Sequence, residues 1–187
     1  KNAAEEISET EMVSLKEVTG RILSEDLAAK ADQPPFPRSP LDGYAIRSCD
    51  SRGASWKRPV RLSVTEKIYA GQTAKHRVGE GEAVRLMTGA PIPEGADTVI
   101  RQEHTRPLAD GMVEICEELK PWQNYCPKGE DFGKGTILLR EGKRMDFAAV
   151  GMAAALVFAR LARGGWTQHF LLRAGCTVLG AAALVRL

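Results

Sequence analysis

Aspartate and glutamate stop at Asp146. Up to that point the chain carries 22 lysines and arginines against 24 acids, whereas the last 41 residues hold four arginines and no acid at all. At the earlier density roughly seven acids belong there, so the composition shifts within the chain and the net charge of +2 conceals it. The late arginines form no basic stripe interleaved with aromatics, which excludes a nucleic-acid-binding reading. Cys49, Cys116, Cys126 and Cys176 show no CxxC or other metal-ligand spacing. Free thiols, buried or at the surface of a protein in a reducing compartment, account for them. His76, His104 and His169 are scattered without a matching carboxylate or second histidine, so ordinary surface placement is expected. Phe170 to Leu187 is apolar but contains Arg173 and Arg186, and no other run approaches the length of a membrane span. With no signal-peptide pattern at the start, these absences predict a cytoplasmic globular protein that meets neither membrane nor nucleic acid.

What is present begins with proline. Four prolines in seven residues, Pro34, Pro35, Pro37 and Pro40, hold the backbone extended. Each fixes its own φ and drives its predecessor out of the helical region. The run is expected to continue no helix and join no sheet ladder, making it a stiff strap across a surface. It delivers Ser39 and Asp42 to a turn at which Gly43 supplies φ values that other residues avoid.

The rest of the chain is legible as alternation and punctuation. Ser14-Leu15-Lys16-Glu17 fits a capping box, so a short helix stopped by Gly20 is expected there. Arg21 to Ala29 reads as a short extended segment. Period-two alternation in Val60 to Val64, Ala83 to Met87 and Val113 to Glu117 predicts strands separated by Gly, Pro and Asp clusters. Residues 41–127 thus form a compact, mainly antiparallel β unit, within an α+β chain. Thr136 to Leu139 is a further strand, and Asp146 N-caps an alanine-rich helix from Phe147 to about Arg160.

Three blocks stand out in order: Pro34-Pro35-Phe36-Pro37-Arg38-Ser39-Pro40-Leu41-Asp42-Gly43-Tyr44-Ala45, then Met87-Thr88-Gly89-Ala90-Pro91-Ile92-Pro93-Glu94-Gly95-Ala96-Asp97, then Gly129-Glu130-Asp131. Together they resemble the N-terminal half of the molybdopterin molybdenumtransferase family, which includes MoeA and the E domain of gephyrin. The resemblance covers about residues 14–158, and three ordered motifs are far more specific than any one. It implies that residues 1–40 and 128–158 make one elongated, discontinuous domain that supports a homodimer, with the β unit of residues 41–127 inserted into it. It also implies an enzyme of molybdenum cofactor synthesis that inserts molybdenum from molybdate into adenylylated molybdopterin and releases AMP, in company with other proteins of that synthesis. A non-enzymatic dimerising scaffold is the competing class, because the gephyrin domain also serves in assembly.

Every reactant in that chemistry is anionic. A divalent cation, Mg2+, is therefore expected to bridge phosphate and oxyanion, and carboxylates and hydroxyls are the hard oxygen ligands it prefers. The family match assigns catalytic roles to Asp42, Thr88 and Asp131, contact with substrate to Ser39, Gly43, Gly89 and Lys128, and metal binding to Asp42 and Glu130. Each has a plainer reading from the residues alone. The Asp42 carboxylate can close an Asx turn, the Thr88 hydroxyl can satisfy a turn before Pro91, Ser39 can cap locally, and Glu130-Asp131 can be a solvated acidic turn. Cys126 and Pro127 stand where family members often carry basic residues, leaving Lys128 alone beside the acidic pair. Gly129 to Thr136 faintly echoes a phosphate-binding P-loop, but it has one residue too few between the glycines, and Gly135 follows Lys134.

The family continues beyond this point into a pterin-binding α/β domain whose glycine-rich and lysine-bearing motifs are absent here. Residues 159–187 are an acid-free tail, read as a frameshifted or unrelated segment or, alternatively, as a short helix packed on the dimerisation domain. The chain is accordingly expected to be inactive by itself.

Overall fold

A computed structural model describes residues 10–161 and 182–186. The chain divides into two compact units. One is formed by the chain ends, up to Pro35 and from Asp131 onward; the other is continuous, from Phe36 to Glu130.

The first unit opens with β1 (Thr10–Ser14), followed by β2 (Ile22–Leu23) and β3 (Leu27–Ala28). The predicted helix at Ser14 is not formed. Val13 and Leu15 are buried with Val18, Leu23 and Met145, and that two-residue spacing is the alternation of an extended chain. Ser14 instead starts a turn, in which its carbonyl accepts from the Glu17 N–H at 2.9 Å and its hydroxyl from the Lys16 N–H at 3.4 Å. The local capping signal is genuine, but the core contacts override helix propensity.

The second unit is a six-stranded sheet of β4 (Gly43–Ile46), β5 (Ser55–Ile68), β6 (Glu82–Leu86), β7 (Thr98–Arg101), β8 (Thr105–Pro107) and β9 (Met112–Glu117). The spatial order is β7-β4-β6-β5-β9-β8, antiparallel except where β5 and β6 run together. Both faces of β4 are buried: Tyr44 and Ile46 join a cluster with Leu62, Ile100 and Ile115, while Ala45 joins Val78, Val84, Leu86 and Val99. Such two-sided burial is expected of an interior strand.

One expectation for this unit is refined and one is corrected. The strap joins no sheet ladder, but it makes isolated bridges through its non-proline positions. Arg38 exchanges backbone bonds with Cys126 at 2.9 and 3.2 Å, and Ser39 bonds Ala90 and Gly89, both at 2.9 Å. Prolines bar only their own N–H groups from pairing, and Arg38 and Ser39 lie between them. Gly43 does not occupy a turn with unusual φ either; it begins a strand, and its φ is not positive. Its lack of a side chain is required by proximity, since a Cβ would sit 1.9 Å from the Ile100 carbonyl oxygen.

Returning to the first unit, β10 (Ile137–Leu139) pairs with β3, and α1 (Phe147–Leu161) follows. Asp146 caps α1 as expected, its carboxylate accepting from the Ala149 N–H at 2.8 Å. The last strand, β11 (Ala182–Arg186), lies between β1 and β2 and is antiparallel to both. Of the tail read from composition, residues 162–181 and 187 lie outside the described residues; the described part at 182–186 is extended rather than helical. No helix among the described residues is long and apolar enough to cross a membrane.

Two glycines should respond oppositely to alanine. Gly43→Ala is expected to destabilise the protein by about 2 kcal/mol or more, because backbone must move to admit the methyl group. Gly151→Ala, on α1 with nothing within 4 Å of its Cβ position, should stabilise by about 0.5–1 kcal/mol. Urea unfolding monitored by circular dichroism separates the two signs.

Candidate functional site

The strap ends where its residues are held from both sides. Ser39 is buried, and its hydroxyl both donates to the Leu41 carbonyl at 2.5 Å and accepts from the Leu41 N–H at 3.4 Å. This local cap turns the chain so that Asp42 precedes the interior strand β4. The Asp42 carbonyl accepts from the Gln102 N–H at 3.0 Å, fixing its backbone to the segment after β7.

On the other flank, β6 ends in a turn from Met87 to Ala90, closed by an Ala90 N–H bond to the Met87 carbonyl at 2.9 Å. Gly89 takes φ +83° there, a value that favours glycine. This turn aims both Thr88 donors at one place. Asp42 Oδ1 accepts from the Thr88 N–H at 2.7 Å and from Thr88 Oγ1 at 2.8 Å, across 46 residues of sequence. The carboxylate therefore closes no local Asx turn, and Asp42 and Thr88 form a single constellation.

The Thr88 N–H and then its hydroxyl hold the Asp42 carboxyl below its ordinary value, and the charge of Arg85 adds to the effect. Arg85 stands directly across from Tyr44 in the β4–β6 register, and its guanidinium lies 5.7 Å from the tyrosine ring centroid. Composition did not single out Arg85. The available signal was one arginine inside an otherwise apolar stretch, Ala83 to Leu86, immediately before the Thr-Gly turn.

The other expected residues are placed differently. Gly43 is buried in β4, and Gly89 forms the turn beside Thr88. Pro127 to Glu130 is a turn with Gly129 at φ +76°, and Lys128 is exposed at its tip. Glu130 accepts a bond from the buried Cys126 thiol, with sulfur to Oε2 at 2.6 Å. Burial first, and then the Glu130 bond, push that thiol upward. Asp131 belongs to the first unit, where its N–H donates to the Gln33 carbonyl at 2.9 Å. The structure thus joins Asp42 to Thr88 and Glu130 to Cys126, while Asp131 is in the other unit. His104 is at the surface as expected, and its Nδ1 meets the Glu117 carboxylate, a partner that sequence spacing did not reveal. Among the described residues no group of three or more His, Cys, Asp or Glu could hold a metal ion.

Asp42 has a lowered value in the fold, so its bonds stabilise the protein at neutral pH and that contribution is lost as pH falls through the lowered range. Thr88→Val removes the hydroxyl donor but keeps the N–H. The Asp42 carboxyl should then titrate higher than in the parent, yet still below an ordinary aspartate. A carboxyl carbon NMR titration reads both directions, and an unshifted midpoint would dissolve the pairing.

Comparison with known proteins fits this geometry. The family model of the MoeA N-terminal region (domain I and II) matches residues 1–157. The molybdopterin molybdenumtransferase of Bacillus subtilis (strain 168) is 38% identical over 154 residues, which is 81% of this chain and 36% of that protein. Its namesake in Staphylococcus aureus (strain Mu50) is 39% identical over 149 residues, 80% of this chain and 35% of the relative. The crystal structure of the molybdopterin biosynthesis moeA protein from Pyrococcus horikoshii OT3 matches with a TM-score of 0.80 at 34% identity, covering 97% of this chain and 42% of that one. The chain spans about a third of the length of the curated relatives it matches. A mixed, sheet-dominated fold with one α-helix among the described residues matches such structures, and the chain belongs to the MoeA N-terminal region family.

Proposed function

We propose that this chain is the N-terminal share of a molybdenum insertase of molybdenum cofactor biosynthesis, and that Asp42 and Thr88 stand on one wall of its active site. The reaction inserts molybdenum from molybdate into adenylylated molybdopterin and releases AMP. The observation that carries the reading is the Asp42–Thr88 constellation. Two residues from separate family motifs are bonded to each other, with the carboxylate kept ionised.

A carboxylate and a hydroxyl, with no larger ligand cluster among the described residues, suit Mg2+ better than a metal held in an all-protein cage. Mg2+ keeps several waters and takes one or two carboxylates together with substrate phosphates. Asp42 would hold it, and the ion would supply positive charge to offset the anionic reactants. Thr88 positions the carboxylate by occupying Oδ1. Glu130 is engaged with Cys126 and is left out of this metal set. Asp131 is assigned a catalytic part, and Lys128 and Gly89 substrate contact, on the strength of their motif positions.

In this reading the remaining two-thirds of the relatives' length supplies the pterin-binding wall, contributed by the other subunit of a homodimer. Exposed apolar side chains in the first unit, Phe147 at 89% and Met12 at 65%, support a second copy as the covering partner. The predicted location is the cytoplasm.

In a full-length protein, Asp42→Asn should lower cofactor formation about a hundredfold or more, with the fold intact, because shape is kept and charge removed. Unchanged activity with unaltered Mg2+ dependence would reduce Asp42 to a structural residue. Residues 1–187 alone should bind adenylylated molybdopterin only weakly, since tight small-molecule sites surround their ligand. Sub-micromolar affinity by calorimetry would sink the two-wall reading.

A further inference from the structure

Arg85 is a partly buried cation of the second unit that makes no ion pair among the described residues, although its charge interacts with Asp42. Arg47 pairs with Asp50, and Arg61 and Arg106 both pair with Glu114. Among the described residues no ion pair or hydrogen bond engages Arg85, and its Nε is sealed from solvent without a partner. A buried donor left unmade is costly, and such a group calls for an explanation. A second cation adjoins it: Lys67 is the Cα partner of Arg85 across the β5–β6 pair. Neighbouring like charges weaken a sheet. Each cation also has an aromatic ring beside it, Tyr44 for Arg85 and Tyr69 for Lys67, the latter with Nζ 4.9 Å from the ring centroid. The carboxylate whose charge interacts with Arg85 is Asp42, and Asp42 directs Oδ1 to Thr88 instead.

We propose that Arg85, with Lys67 behind it, anchors a tetrahedral oxyanion of the ligand beside Asp42 and Thr88. The chemistry on the page is that of a guanidinium offering several donors in a planar fork to an anion with oxygens at the matching spacing. A phosphate ester and an oxometallate share that chemistry. Stacking on Tyr44 orients the fork, and the uncompensated second cation raises the local potential. The proposal rests on the insertase reading, because it takes the oxyanion to belong to the same ligand.

The test titrates the 187-residue chain with AMP and, separately, with molybdate, for the parent, Arg85→Gln and Arg85→Lys, with the thermal midpoint recorded for each. Arg85→Gln should weaken binding of at least one probe about tenfold without a matching loss of stability, as expected for a charge-assisted pair. Arg85→Lys, which keeps the charge without the fork, should fall between the two. Loss confined to AMP assigns the site to the phosphate, and loss confined to molybdate assigns it to the oxometallate. Equal binding by parent and Arg85→Gln, no binding of either probe by the parent, or a lysine variant as weak as the glutamine one would overturn the assignment. Failure of the insertase reading shows elsewhere, as cofactor formation that survives Asp42→Asn in the full-length protein. The two outcomes are therefore distinguishable.

Discussion

The second unit is organised around the passage of β4 between β6 and β7. At Gly43 the backbone lies so close to the Ile100 carbonyl that no side chain can be accommodated. Two and three residues further in, Ala45 and Ile46 are completely buried. Asp42 is the residue just outside this clamp, and each flanking strand holds part of it: the segment after β7 bonds its carbonyl, and the turn after β6 bonds its carboxylate. Its position is thus set by sheet geometry rather than by loop preference. Groups built on strands and held by neighbours are placed more accurately than groups on free loops.

The strap extends the same constraint. Arg38 joins the segment at Cys126, and Ser39 joins the Thr-Gly turn, so the strap is tied to both later parts of the second unit. The prolines limit the conformations open to the unfolded chain while leaving two residues free to pair. That lowers the entropy cost of ordering the strap. Glu130, an exposed residue of the third block, is drawn into the arrangement through its bond from the Cys126 thiol.

Local signals were readable where local physics decides. Asp146 caps α1 because a carboxylate three residues before a free N–H is a short-range event, and Val60 to Val64 alternate because one face is buried. Ser14 shows the limit: its capping pattern is intact, yet Val13 and Leu15 are needed in a core with Met145, more than a hundred residues away. The parallel pairing of β5 with β6 was equally hidden, since direction depends on how the connecting segment crosses back. At the candidate site the motifs pointed to Asp42 and Thr88 separately, whereas their mutual bonds exist only in three dimensions. Arg85 escaped attention because a charged residue in a strand ordinarily reads as solvent-facing, and only the register places Tyr44 across from it.

The electrostatic arrangement follows from which group Asp42 chooses as its partner. A direct Asp42–Arg85 ion pair would satisfy both charges and thereby cancel them for a ligand. By bonding the neutral donors of Thr88, Asp42 stays ionised without cancelling the guanidinium. One face of the site therefore offers a carboxylate oxygen suited to a cation, and the adjoining strand offers a cation suited to an oxyanion. A ligand that carries both a bound metal ion and a phosphate or oxometallate would complement this separation at once. Either simple ion by itself would meet only half of it.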